Sequence, residues 1–150
     1  TDVLVKFVGD HRAKLDDKGR LIFTSAFKSL MGDQPLCFVV KKDLFSDCLS
    51  IYTYAEWERE SEEIKAKLNF FNKEHSTFWR AYMKDRALIE PDGKLGRIPI
   101  PKYLLDSINV TKELLFSGND PKIELWAKEL FDANRMENDE FVSLAEKILG

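Results

Sequence analysis

Apolar and polar positions along this chain come in short bursts bounded by turn residues, and the bursts follow the same order twice. Val3-Leu4-Val5-Lys6-Phe7-Val8 is rich in β-branched and aromatic residues and leads as a first strand. His11 to Leu15 and Arg20 to Phe23 then flank the turn residues Asp16-Asp17-Lys18-Gly19, which predicts a hairpin. Thr24 and Ser25 are good N-cap residues. Ala26, Phe27, Leu30 and Met31 follow at helical spacing, and Gly32 stops that short helix. Leu36 to Val40 reads as a buried strand, residues 42–47 as a loop, and Leu49 to Tyr54 as the alternating partner strand.

The second round keeps this order. Arg86 to Ile89 and Arg97 to Ile100 flank another turn, and Pro101 takes the first position of a helix filled by Tyr103, Leu104 and Leu105. Lys112 to Ser117 reads as a strand, Gly118-Asn119-Asp120-Pro121 as a turn, and Lys122 to Trp126 as the return strand. Gly19 and Gly96 are offset by 77 residues, Ile51-Tyr52 and Leu125-Trp126 by 74, so the first round has the longer loop. Helical spacing follows each round. Trp57, Ile64, Leu68 and Phe71 fall on one face of a helix that starts near Glu56; Lys73 to Met83 forms a second helix with Phe78, Trp79, Tyr82 and Met83. Leu130-Phe131 closes the second round, and Phe141, Leu144, Ala145, Ile148 and Leu149 make a stripe on a terminal helix. The fold class is therefore α+β, in one compact pseudo-two-fold domain: a first repeat over 1–54, a helical connection over 55–84, a second repeat over 85–131 and a terminal helix over 132–150.

Charge and cysteine content narrow the function. A net charge of −3 argues against a protein that coats nucleic acid non-specifically, but leaves room for a local basic patch. Cys37 and Cys48 lack metal-ligand spacing and read as reduced strand residues. No apolar run approaches the ~18 residues that a membrane helix needs, and the amino terminus carries no secretory h-region, so a cytoplasmic protein with no membrane partner is expected. His11 and His75 stand alone, without a nucleophile motif or metal spacing, and no glycine-rich phosphate loop is present. The adjacent carboxylates of Asp16 and Asp17 point apart in a tight turn. These features predict no enzyme, no cofactor, no metal and no small-molecule substrate.

The candidate chemistry lies in the two turns themselves. Leu15-Asp16-Asp17-Lys18-Gly19-Arg20-Leu21-Ile22 is echoed by Ile89-Glu90-Pro91-Asp92-Gly93-Lys94-Leu95-Gly96-Arg97-Ile98. Asp16, Gly19, Asp92 and Gly96 shape the turns, since Asp can accept from the turn's own amides and glycine adopts positive φ freely. Lys18, Arg20, Lys94 and Arg97 put cations on the tips. Arg20 either reaches a partner or pairs with Asp16 across the turn, and the two roles coexist if Asp16 holds it extended. Arg12 and Arg86, just before the turns, read as solvated strand positions. The acids lie elsewhere: Glu56, Glu58, Glu60, Glu62 and Glu63 crowd one helix as a solvated face, and Glu137, Asp139 and Glu140 crowd the last connection.

This pattern resembles the MraZ family of bacterial DNA-binding proteins. Phe7-Val8-Gly9 looks like the family's Phe-x-Gly opening, Asp16-x-x-Gly19-Arg20 is its Asp-x-x-Gly-Arg motif, and the resemblance runs to about Phe131. It implies tandem AbrB-like swapped-hairpin halves, intertwined into a small β-barrel within one chain. It also implies ring-shaped homo-oligomers that bind short direct repeats in double-stranded promoter DNA, as a repressor of the division and cell-wall gene cluster including its own promoter. A cytoplasmic, nucleoid-associated location follows. DNA contact falls to Lys18 and Arg20, with Lys94 and Arg97 as their counterparts. Two departures stand out. The stretch from Asp92 to Arg97 is one residue longer than the family spacing, with Gly93 in the register where Asp is expected. Thr24 replaces the proline that Pro101 supplies in the second copy. Lys–phosphate contacts are individually modest and salt-dependent, and Arg can add a bidentate contact to guanine. Repetition around a ring turns such small terms into avidity. The alternative is a ring-forming assembly protein whose basic tips bind an acidic protein; it shares the tips but not the polyanion.

Overall fold

The computed structural model describes residues 5–91, 96–109 and 113–150. In chain order the elements are β1 (Asp10–Leu15), β2 (Leu21–Ile22), α1 (Ser25–Met31), β3 (Phe38–Lys42), β4 (Cys48–Thr53), α2 (Tyr54–Ala66), α3 (Lys73–Met83), β5 (Ala87–Ile89), α4 (Lys102–Ser107), β6 (Leu114–Asn119), β7 (Lys122–Ala127), α5 (Lys128–Ala133) and α6 (Asn138–Leu149). The strands form one sheet in the order β2-β1-β6-β7-β4-β3-β5, antiparallel throughout. It curls into a half-barrel. Early and late strands are interleaved, since β1 pairs with β6, β4 with β7 and β3 with β5.

Strand alternation sorts the side chains onto two faces. Phe38 and Val40 of β3, Leu49 and Ile51 of β4, Phe116 of β6 and Ile123 and Leu125 of β7 point into the curl. There they join Phe7, Leu21, Phe27, Ile98 and Leu104 in the main core. Phe23 ties the aromatic part together, with ring centroids 5.1 Å from Phe38 and 5.8 Å from Phe116. Val39, Tyr52 and Trp57 form a smaller cluster on the outer face, closed by Tyr82. Thr24 caps α1 by accepting from the Ala26 amide, and Gly32 ends it with φ 59°.

Three elements depart from the sequence expectation. Residues 5–8 form no strand. Phe7 alone pairs with Asp120, and Gly9, at φ 101°, turns the chain before β1 begins. The second hairpin turn is only two residues, because Gly118 and Asn119 stay in β6 and Asn119 pairs directly with Lys122. The helix expected to reach Phe71 stops at Ala66. Asn69 and Asn72 hold the connection: Asn69 Oδ1 accepts from the Phe71 amide, and Asn72 Oδ1 caps α3 through the Glu74 and His75 amides. Phe71 is left fully exposed instead of facing the sheet.

Candidate nucleic-acid interface

The β1–β2 turn is built around one carboxylate. Asp16 Oδ1 accepts from the Lys18 amide at 3.0 Å and the Arg20 amide at 2.8 Å. The backbone closes the loop as well, with the Gly19 amide donating to the Asp16 carbonyl at 2.9 Å and the Asp16 amide donating to the Arg20 carbonyl at 2.8 Å. Gly19 sits at φ 77°, which a side chain would resist. The other oxygen, Asp16 Oδ2, accepts from Arg20 Nε at 2.9 Å, so the residue that shapes the turn also fixes the guanidinium. The hydrogen bond from the Arg20 backbone, helped by its side chain and by the Lys18 amide, holds the Asp16 carboxyl below its ordinary value.

Arg97, which follows the second turn in sequence, arrives at the same place. Leu21 and Ile98, both buried, exchange backbone hydrogen bonds of 2.7 and 2.9 Å. That bridge carries Arg97 to within 3.9 Å (Nε) of Asp16 Oδ2. Arg20 and Arg97 are each about a quarter exposed, at 24% and 25%, and Asp16 lies between them at 16%. Lys18 and Asp17 are exposed on the tip. One carboxylate thus faces two guanidinium groups, which leaves the described tip residues with a surplus positive charge even when Asp17 is counted. Gly96, at φ 67°, precedes Arg97. Asp92 and Lys94 lie outside the described residues. The meeting of Arg20 and Arg97 at Asp16 has no local signal in the sequence; only the similarity of the two turns hints at it.

Residues 7–81 match a family model described as "MraZ protein, putative antitoxin-like". The chain belongs to the MraZ family. It is 34% identical over 147 residues to a protein of Bacteroides thetaiotaomicron named transcriptional regulator MraZ, covering 97% of this chain and 94% of the relative. A relative of the same name from Phocaeicola vulgatus is 33% identical, with 97% and 95% covered. One from Flavobacterium psychrophilum is 34% identical, with 95% and 91% covered.

Some other charged residues of this MraZ-family chain serve packing. Arg86 is not a solvated strand position: its guanidinium lies 4.2 Å from the Tyr82 ring centroid and 4.9 Å from that of Trp57. Arg12 is exposed, as expected. The acidic face of α2 is only partly solvated. Glu56 is buried and paired with Arg59, while Glu60 accepts from Tyr82 Oη at 2.7 Å and Tyr52 Oη at 3.3 Å. Asp43, Cys48 and Glu124 offer three metal-ligating atoms within 4.8 Å of one another on the outer sheet face. The cation held there is the Lys122 ammonium, 3.1 Å from Asp43 Oδ1 and 4.0 Å from Glu124 Oε2, so the cluster is satisfied as an ion-pair network. Cys37 and Cys48 are both free thiols.

Proposed function

We propose that the paired-arginine face is the DNA-contacting surface of a transcriptional regulator. The observation that carries this reading is the convergence of Arg20 and Arg97 on Asp16: Arg20 hydrogen-bonds the carboxylate and Arg97 stands 3.9 Å from it, so two guanidinium groups meet at one anion. Preorganised arginines of this kind suit bidentate recognition of guanine or phosphate. The relatives, named transcriptional regulators, support it. Lys18 and Lys94 add phosphate contacts that position the tips without reading sequence. The two hairpin units, over 1–54 and 85–131, act as AbrB-like halves linked through the helical segment 55–84 and followed by the terminal helix 132–150. Copies of the chain assemble into a ring in the cytoplasm, associated with the nucleoid. The ring repeats the tips along short direct repeats in the promoter of the division and cell-wall cluster, its own promoter included, and represses it.

The test is binding of the pure protein to its own upstream promoter DNA and to scrambled DNA across a salt series, with Arg20→Ala beside it. The promoter is expected to win, and Arg20→Ala to lose roughly 5- to 150-fold in affinity for each tip engaged, the equivalent of a bidentate contact worth ~1–3 kcal/mol. Loss of the salt dependence is not expected, because Lys18 and the remaining cations still meet phosphates. An absent promoter preference, or an Arg20→Ala variant that binds like wild type, would refute the assignment and redirect the search to an acidic protein partner.

A further inference from the structure

Two helices present apolar faces to solvent. None of the twelve residues of α6 is buried. Phe141, Leu144, Ala145 and Ile148 recur on one side of it, with Phe141 61% and Ile148 69% exposed. A lone helix of about 12 residues is marginal in water, and most helical stability in proteins comes from packing an apolar face. The stripe therefore needs a cover. On α3 and the turn before it, Phe70, Trp79 and Met83 line an open groove flanked by Arg80 and Lys84. Phe70 and Met83 remain 45% and 42% exposed, so the chain's own α6 does not fill that groove.

The charges around the two surfaces are opposite. Residues 137–150 carry four acids, Glu137, Asp139, Glu140 and Glu146, against the single base Lys147. Residues 67–84 carry four bases, Lys67, Lys73, Arg80 and Lys84, against the single acid Glu74. Two α6 helices packed on each other would face acid with acid, and two α3 grooves base with base. Only α6 against α3 joins apolar surface while pairing opposite charges.

We infer that α6 of one copy docks in the α3 groove of a second copy, head to tail. Such a contact propagates from copy to copy until it closes on itself. It supplies the joint for the ring proposed above, and rests on that reading for closure alone.

Sedimentation equilibrium tests the joint with two variants at exposed positions, Ile148→Asp on α6 and Met83→Asp in the groove. Each is expected to fold as wild type does by circular dichroism and to sediment as a monomer. Each also retains the half of the contact that the other lacks, so an equimolar mixture is expected to recover a dimer. A mixture that stays monomeric, or a single variant that assembles like wild type, would overturn the α6–α3 joint while leaving a ring built by other surfaces standing. A wild-type chain monomeric at high micromolar concentration would overturn the joint and the ring together. Arg20→Ala serves as the control, expected to lose DNA affinity and keep its assembly state.

Discussion

Gly118→Ala measures how firmly residues 7–9 are fastened to the sheet. A Cβ at Gly118 would lie 2.6 Å from the Phe7 carbonyl carbon and the Val8 nitrogen, and 2.7 Å from the Phe7 oxygen. These are backbone atoms, so no side chain can swing aside; either residues 7–9 or β6 must move. Three hydrogen bonds cross this contact: Phe7 amide to Asp120 carbonyl at 2.8 Å, Asp120 amide to Phe7 carbonyl at 3.0 Å, and Gly118 amide to Gly9 carbonyl at 2.9 Å. Each contributes about 1 kcal/mol. Moving the segment also draws the Phe7 ring, 1% exposed, away from Phe27, whose centroid lies 5.4 Å from its own. Complete removal of a buried Phe costs ~3–5 kcal/mol. With partial loss of both contributions, destabilisation of about 3 kcal/mol is expected. For a chain of this size that lowers Tm by roughly 6–12 °C. Calorimetry should place Gly118→Ala well below Gly19→Ala. There the added Cβ meets nothing within 4 Å and only φ +77° opposes it, a penalty of ~1–2 kcal/mol. A Gly118→Ala protein that melts with wild type, or above Gly19→Ala, would refute the steric argument.

Two further outcomes follow from the outer sheet face. Burial would raise the Asp43 carboxyl, but the Lys122 ammonium and the Phe45 amide outweigh it and hold the group below its ordinary 3.8. A carboxyl depressed in the folded state contributes stability that is fully present above its unfolded value and lost as pH falls through the folded one. Melts of wild type should therefore decline more steeply below about pH 4 than those of Asp43→Asn, and parallel declines would refute the pairing. Burial, reinforced by the nearby charge of Glu124, pushes the Cys48 thiol far above its ordinary 9.0; burial and Glu90 raise Cys37. A thiol reagent at about pH 8 should label Cys37 slowly and spare Cys48 until denaturant is added. Rapid labelling of both in the native protein would contradict this.

Local chemistry in the sequence carried a good share of the fold. The turn at Asp16–Arg20, the caps of α1 at Thr24 and Gly32, and the span of α3 from Lys73 to Met83 depend on neighbours a few residues away, and each is where the residue pattern puts it. What was illegible depends on distant partners. Val5 to Val8 has strand composition, yet Gly9 turns the chain and Phe7 finds a single bridge to Asp120. Leu68 and Phe71 keep helical spacing with Trp57, but the two asparagines between α2 and α3 take the backbone amides out of the helix. Arg86 reads as a surface cation until Trp57 and Tyr82 close over it. In the candidate site the Asp16–Arg20 contact was foreseeable from a four-residue spacing, whereas the approach of Arg97 to the same oxygen depends on the Leu21–Ile98 bridge.

That bridge, and the interleaving of strands around it, sets an order of events for the newborn chain. The β3–β4 hairpin and the Asp16 turn close locally and early, but β1 finds its β6 neighbour only across a separation of 107 residues, from Asp10 to Ser117. Contacts so remote in sequence are slow to form, and strand edges that wait for them are prone to wrong pairings. Until the last third of the chain has been synthesised, β1 and β4 each lack a neighbour. The paired arginines therefore depend on the long-range Leu21–Ile98 bridge, and the sheet beside them is completed only when β6 and β7 have entered between β1 and β4.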